Sequence, residues 1–531
     1  ISPREAKIMD PMDRLFLETV WNILEDAGYT REALQRHYQS RVGVYVGAMY
    51  HQYHSFNTDI INEMAISISS YSSIANRVSH YFNFQGPSIA VDTACSSSAV
   101  AIHMACESLA RGDCQLAIAG GVNLSIHPNK YLGLSIAQLI GSHPDSRSFG
   151  DGDGYLPAEA VGAVLLKPVA KAIQDRDSIL AVIKSTSTNH GGHTNGFMVP
   201  NLKAQAQLIE ENFRKSDINP RTISYIEAAA NGSALGDPIE ITALSKAFQK
   251  FTPEQQYCAI GSVKSNIGHA EAASGITQLT KVILQLQHKQ LVPSIKADPL
   301  NPNINFENTP FYLQRELQEW KRPVLSINGE EREYPRRATV SSFGAGGSNA
   351  HLIIEEYVPL QEETSSTNSS QIIVLSAKNP DRLQAVVEQM LEFVEHQPEF
   401  SLSNLAYTLQ VGREAMESRL AMVVNTKEEL IQGMNEYVRS VREGQEIASS
   451  IPIFTENIEG RSNITNLLSG KLAETVAHIL FIENNLQKLA LYWIQGGKID
   501  WEQLHQGEET RIISLPTYPF AKQRCWIETL Q

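Results

Sequence analysis

Cys95 stands in VDTACSSSAVAIHMACESLARGDC, where a β-compatible run ends at Ala94 and a helix-compatible run begins at Ser96. That order puts the thiol at a strand-to-helix elbow. There the free backbone N–H groups and the helix dipole favour a thiolate and are expected to lower the thiol pKa, which suits a nucleophile that accepts acyl groups. Small neighbours, Ala94 and Ser96 to Ser98, leave room for a substrate. A lone cysteine is more often a packing residue, and Cys106 and Cys114, in or just after the same helix, read that way. Lys264, judged alone, reads as a solvated surface lysine. His190 and His193 in NHGGHTNG are close enough for a metal pair, yet no third ligand accompanies them, so a structural loop and no metal site are expected. GDGDG (150–154) has neither EF-hand spacing nor the lysine of a P-loop and reads as a turn.

The elements that must position the thiol follow a repeating order. Apolar residues Leu15, Leu17, Val20, Ile23 and Leu24 recur near helical spacing from Met12 to about Ala27, and Gly28 supplies a stop. The runs VGVYVGA (42–48), SIAVDTA (88–94) and LAIAGGV (116–122) read as strands separated by helix-compatible stretches, the pattern of βαβ units in a layered α/β domain. This domain is expected over 1–357. A linker over 358–371 contains QEETSSTNSS, which has no apolar period. A smaller α/β and helical subdomain is expected over 372–514, with strands at IIVLSA (372–377) and near LAMVV (420–424), a helix from about Asp381 to Val394, and a helical stretch near 464–496. A Pro-punctuated aromatic tail occupies 515–531.

Composition narrows the partners. A chain of 531 residues exceeds the size of one hydrophobic core, and 42% hydrophobic with 19% charged residues is ordinary globular content. A formal net charge of -14 argues against nucleic acid and against an anionic membrane surface. No run of about 18 apolar residues can span a bilayer. Five cysteines without a C-x-x-C pair indicate neither a disulfide framework nor a zinc site, so a reducing cytoplasmic setting is expected. The start at Ile1 is abrupt and suggests a piece of a longer chain.

The string VDTACSSS, preceded by NRVSHYFNFQGPS (76–88), resembles the active-site block of the ketosynthases of modular polyketide synthases. PREAKIMDPMDRLFLE (3–18), GSVKSNIGHAEAASG (261–275) and SSFGAGGSNAHLIIEEY (341–357) resemble further motifs of that family in the expected order. The resemblance implies a thiolase-like layered αβαβα fold of two related halves, usually dimeric, with the smaller flanking α/β subdomain after it and LPTYPFAKQRCW (515–526) wrapping back as a linker. It implies catalytic roles for Cys95, His269 in NIGH and Lys264, an oxyanion hole from the backbone N–H groups of Cys95 and Ala345, and no bound cofactor. Substrates would arrive on the phosphopantetheine arms of upstream and downstream acyl carrier proteins. The family's customary first strand and Gly-rich opening are missing before Ile1.

A decarboxylating condensation needs donors at a malonyl thioester oxygen, which the family supplies from two histidines. YIEAAANGSALGDPIE (225–240) resembles the family's Y-V-E-A-H-G-T-G-T-A-L-G-D-P-I-E, which puts Ala229 at the first histidine and Ala230, Asn231 and Ser233 at the next Gly and the two Thr positions. A methyl group donates nothing, so elongation is expected to be crippled while loading and unloading of Cys95 persist, with His269 still able to hydrogen-bond the thiol. The chain is thus similar to the non-elongating ketosynthases of trans-acyltransferase synthases, and no G-H-S-x-G acyltransferase elbow occurs in its second part. A deliberate knockout would leave the neighbouring positions intact, which favours a natural change. Asn231 and Ser233 stand where family threonines contact pantetheine, and Glu240 is a candidate ion-pair partner of Lys264. Ala345, where related enzymes often carry Phe, and the retained Phe343 are candidate gating residues; the smaller side chain fits a bulky acyl group or ordinary loop variation. The alternatives are an elongating enzyme in which water or Asn231 substitutes for the imidazole, and a silent spacer that positions carrier proteins. The stretch near 464–496 serves either lateral contacts between synthases or packing within the subdomain.

Overall fold

The computed structural model describes residues 1–53, 55, 70–327, 329–359, 370–397, 400–447, 449–460, 470–483, 485–507 and 509–526. After a short helix over Pro3–Ile8, α1 (Pro11–Asp26) starts where Asp10 accepts a hydrogen bond from Met12 N and Pro11 occupies the first turn, where its missing N–H costs nothing. β1 (Val42–Ala48) is buried along its whole length, as expected of an apolar run covered on both faces. β2 (Ser88–Val91) leads towards α2 (Ser97–Arg111), followed by β3 (Leu116–Asn123) and β4 (Ala160–Leu166). These strands form one sheet in the order β2-β1-β3-β4, with β1 parallel to β2 and β3, and β4 antiparallel to β3.

The next part of the chain repeats this plan. β5 (Val182–His190), β6 (Tyr225–Glu227), α3 (Gly236–Gln249), β7 (Cys258–Gly261), the short helix α4 (Lys264–Ile267), α5 (Ser274–His288), β8 (Phe311–Leu313), β9 (Arg337–Phe343) and β10 (Ser348–Glu355) follow in order. Their sheet runs β5-β10-β9-β6-β7-β8. Within it, β7-β6-β9-β10 has the same sequence of parallel, parallel and antiparallel pairings as β2-β1-β3-β4. α2 and α5 occupy equivalent places after β2 and β7 and pack on each other between the sheets: Ile276 N donates to Ser98 Oγ at 3.1 Å, and a methyl at Gly275 would meet Ala99 N at 2.6 Å. One core joins both helices to both sheets through Ile102, Ala105, Ala117, Ile276, Val282 and Val340. Outer cores place α1 against the first sheet and α3 against the second. The result is the layered thiolase-like αβαβα arrangement of two related halves.

An ion pair braces the second sheet beneath the loops that carry residues 229 and 264. Lys281 Nζ lies 2.9 Å from Glu227 Oε2, with the two side chains 8% and 0% exposed. The same carboxylate accepts hydrogen bonds from Tyr225 OH at 2.7 Å and Val263 N at 2.5 Å. Removing one partner of such a pair strands a buried charge, so Lys281→Met is expected to destabilise the fold by about 3–5 kcal/mol, read from urea unfolding. A loss below about 1 kcal/mol would show that the carboxylate is satisfied without its lysine.

Downstream, β11 (Gln371–Ala377), β12 (Ser418–Val424) and β13 (Ile453–Asn457) form a separate antiparallel sheet in that order. It is covered by α6 (Pro380–His396), capped by Asn379, whose residues Leu383, Val387, Met390 and Val394 recur at helical spacing and are buried. Helices Gly470–Ile482 and Leu486–Ile494 occupy most of the expected helical stretch, whose residues 464–469 lie outside the described residues, as do residues 360–369 of the expected linker. The C-terminal segment returns to α1. Tyr518 N donates to Glu25 Oε2 at 2.7 Å, and the rings of Tyr518 and Phe520 lie 6.4 and 6.1 Å from that of Trp21.

Candidate active site

The β2 strand stops at Val91, three residues short of the expected Ala94, because side chains take over the backbone partners of the elbow. Asp92 Oδ1 accepts from Ala94 N at 3.1 Å, Ser97 Oγ accepts from Thr93 N at 2.9 Å, and the same hydroxyl donates to Ala94 O at 2.5 Å. Ala94 is held at φ +56°, the left-handed region that an L residue enters only when its surroundings impose it. Cys95 follows immediately, half-buried, two residues ahead of the start of α2 at Ser97. The turn after β9 closes on it. Ser342 Oγ donates to Cys95 O at 3.1 Å, and the backbone N–H groups of Ala345 and of Cys95 itself face the sulfur. A methyl at Gly344 would overlap Thr93 O and lie 2.9 Å from Ser96 Oγ, so only glycine lets this turn approach the elbow so closely.

The expected lowering of the thiol pKa is corrected by the structure. Burial pushes the Cys95 thiol above its ordinary value, and Glu271 adds to the rise, while Lys264 and the two N–H groups oppose it without prevailing. Cys95 is therefore a thiol at neutral pH. Alkylation of Cys95 by iodoacetamide is expected to rise about tenfold per pH unit between roughly pH 7 and 9, followed by peptide mass spectrometry. A plateau reached near pH 7 would contradict this.

Residue 229 lies between two ionisable groups, Glu240 and Lys264, expected from sequence to pair with each other. Glu240 Oε1 accepts from Ala229 N at 2.8 Å, and Lys264 Nζ donates to Ala229 O at 2.5 Å. The expected Glu240–Lys264 ion pair is thus replaced by a shared grip on the backbone of residue 229, which stands between them. Both groups are buried, and burial raises the carboxyl pKa of Glu240 and lowers that of the Lys264 ammonium. The methyl of Ala229 is the only part of that residue left to meet a substrate.

His269 is held by its backbone to the 156–158 segment, with N–H to Leu156 O at 2.8 Å and its carbonyl accepting from Ala158 N at 2.9 Å. Its Nδ1 accepts from Glu271 N at 3.1 Å, which leaves the ring proton of the neutral imidazole on Nε2. Burial, with Lys264 and Lys130 adding positive charge nearby, lowers its pKa well below the usual histidine value, so the ring is neutral at pH 7. Among the described residues Nε2 makes no hydrogen bond to Cys95, so the anticipated contact is absent at rest.

The remaining candidates are distributed around this centre. Asn231 Oδ1 accepts from Ser233 N at 3.1 Å and Ser233 Oγ accepts from Gly236 N at 3.0 Å, so both side chains brace the turn into α3. Phe343 ends β9 half-buried, while Ala345 is exposed at the tip of the turn. His190 Nε2 lies 2.8 Å from Gly346 O and its Nδ1 accepts from Gly192 N, so it braces the same turn. No cluster of three or more possible metal ligands occurs among the described residues. Sequence reasoning missed Glu271, Lys130 and Tyr155. Tyr155 OH donates to Glu271 Oε1 at 3.0 Å and Lys130 is paired with the other oxygen. Glu271 lay within a quoted motif, two residues after His269, and was legible as a carboxylate beside an imidazole. Lys130 and Tyr155 carry no local signal.

Residues 1–172 match the beta-ketoacyl synthase N-terminal domain, residues 180–298 the beta-ketoacyl synthase C-terminal domain, and residues 374–441 the RhiE-like KS-MAT linker domain. The polyketide synthases PksL and PksM of Bacillus subtilis (strain 168) are 49% and 46% identical over 99% of this chain, which spans 12% of the length of each. Among solved structures, the ketosynthase from module 6 of the bacillaene synthase of Bacillus subtilis 168 is 36% identical with a TM-score of 0.87, covering 99% of this chain and 89% of that one. The oxazolomycin ketosynthase domain OzmH KS7 of Streptomyces albus JA3453 is 41% identical with a TM-score of 0.87, covering 100% of this chain and 86% of that one.

Proposed function

The chain belongs to the beta-ketoacyl synthase family as a polyketide-synthase ketosynthase domain, and from that premise we propose that it passes a polyketide chain between carrier-protein thiols through Cys95 without lengthening it. In this reading the Cys95 sulfur attacks the carbonyl carbon of an acyl thioester. Negative charge collects on the carbonyl oxygen, within reach of the N–H groups of Cys95 and Ala345. The carbon–sulfur bond to the phosphopantetheine arm then breaks, and the departing sulfur takes up the proton given up by the Cys95 thiol. The same steps in reverse, onto a second carrier-protein thiol, release the chain. His269 contributes the Nε2–H as a donor to the Cys95 sulfur when charge builds there, and Lys264 offsets that charge from the buried side.

The observation that carries the proposal is the state of residue 229. Its side chain is a methyl, and its N–H and carbonyl are already engaged by Glu240 and Lys264. Nothing there polarises a malonyl carbonyl. A pure spacer has no use for donors aimed at a sulfur. We assign the chain to a trans-acyltransferase synthase, in which malonyl units come from a separate enzyme and no cofactor is held by this domain. Its partners are then acyl carrier proteins and a second copy of the chain in a cytoplasmic assembly. Support for a dimer is the open edge of β2, with Ile89 36% exposed. Exposed Ile479, Ile482 and Leu491 on the two late helices support lateral contacts between synthases. No helix among the described residues is long and apolar enough to cross a membrane.

Intact-protein mass spectrometry after incubation with a panel of acyl carrier proteins is expected to show one acyl adduct, absent in Cys95→Ala. Transfer of that adduct to a second carrier protein completes the cycle. Lack of any adduct across the panel would return the domain to a spacer.

A further inference from the structure

We infer that the Lys130–Glu271–Tyr155 cluster is a positioning device that fixes His269 as its Nε2–H tautomer. The inference deepens the transacylase reading, because a donor at Nε2 is what that reading asks of the imidazole. Glu271 and Lys130 have relative exposures of 1% in the interior. One oxygen of the Glu271 carboxylate is paired with Lys130 and accepts from Asn123 Nδ2 at 3.0 Å; the other accepts from Tyr155 OH at 3.0 Å. Lys130 is held in turn by Asn123 Oδ1 at 3.3 Å and Ser125 Oγ at 3.2 Å, and lies 5.0 Å from the centre of the Tyr50 ring.

The anchored carboxylate has a consequence at its own backbone. Glu271 sits at φ +44°, a left-handed conformation that a non-glycine residue keeps only when contacts over-determine it. That conformation aims the Glu271 N–H at His269 Nδ1, 3.1 Å away. A neutral imidazole has one N–H, so an Nδ1 that accepts leaves the proton on Nε2. Tyr155 acts twice: its hydroxyl holds the carboxylate, and its ring stands edge-on to the imidazole with centres 4.6 Å apart at 63°, which resists a ring flip. Were the carboxylate released, residue 271 would relax, its N–H would leave Nδ1, and the proton would be shared between the two nitrogens. Nε2 would then spend part of its time as an acceptor, unable to donate.

The test is 15N NMR of the full chain labelled at histidine, with the His269 signals assigned by their loss in His269→Gln. The native protein is expected to show a single tautomer, Nδ1 unprotonated, from about pH 6 to 8. Tyr155→Phe and Lys130→Met are each expected to give a mixture of tautomers. Cys95 acylation should slow by roughly 10- to 100-fold, the usual scale for residues that orient an imidazole through a second contact, with KM for the acyl thioester nearly constant. Tyr155→Phe removes a single oxygen and serves if Lys130→Met does not fold. An unchanged tautomer in both folded variants, or in Tyr155→Phe alone if the other is unfolded, overturns the inference. Because the tautomer is read directly, a native protein that takes up no acyl group sinks the transacylase reading without touching this result.

Discussion

Offered malonyl-loaded carrier protein, the acylated protein is expected to release CO2 about 100- to 1000-fold more slowly than a ketosynthase with an imidazole at the place of Ala229. Decarboxylation puts charge on the malonyl thioester oxygen, and each pre-aimed donor there lowers the barrier by about 3–4 kcal/mol. At residue 229 the side chain is a methyl, and the backbone N–H is turned away to Glu240 Oε1 at 2.8 Å. The Lys264 ammonium, the nearest cation, donates to the carbonyl of the same residue. His269 supplies one N–H and cannot serve both oxygen and sulfur. Loading of Cys95 draws on a different set of donors, those of Cys95 and Ala345, and is expected to proceed in the same sample. Headspace CO2 and intact mass measured together separate the two half-reactions. Decarboxylation within about tenfold of an intact ketosynthase would show that another group has taken over, and the non-elongating reading would fall.

Gly344→Ala is expected to lower thioester transfer to Cys95 by about 100-fold while leaving alkylation of the thiol by iodoacetamide within about threefold. The added methyl would overlap the Thr93 carbonyl oxygen and crowd Ser96 Oγ, both parts of the elbow that cannot yield without disturbing α2. The turn must move instead, and Ala345 N–H moves with it. A small alkylating agent needs only the thiolate, which Lys264 and the Cys95 N–H still favour, whereas a tetrahedral thioester adduct needs the Ala345 donor at its oxygen. Parallel losses in both reactions would mean that the elbow itself has collapsed, and a thermal melt of the variant distinguishes that outcome. Unchanged transfer would show that the Ala345 N–H is not used.

Much of the architecture was legible as pattern. VGVYVGA is apolar without alternation because β1 is covered on both faces, and Pro11, Asp10 and the apolar spacing of α1 mark a helix from local rules alone. The strand expected over 88–94 ends at Val91, because apolar content does not reveal that the Asp92 and Ser97 side chains capture the backbone partners of Thr93 and Ala94. The expected Glu240–Lys264 pair differs from the structure for a similar reason. Eleven residues of spacing from Ala229 brought the carboxylate to the right place, but spacing cannot show that a peptide group stands between it and the ammonium.

The candidate nucleophile, its place ahead of a helix and the methyl at residue 229 were decided by residue type and order, since a side chain's chemical repertoire travels with its name. Protonation and aim were decided only in three dimensions. The thiol is raised rather than lowered, and the His269 ring is neutral with its proton on Nε2. Solvation and distance depend on every atom that surrounds a group, and here those atoms come from segments as far apart as Lys130, Tyr155, Glu271 and Ala345.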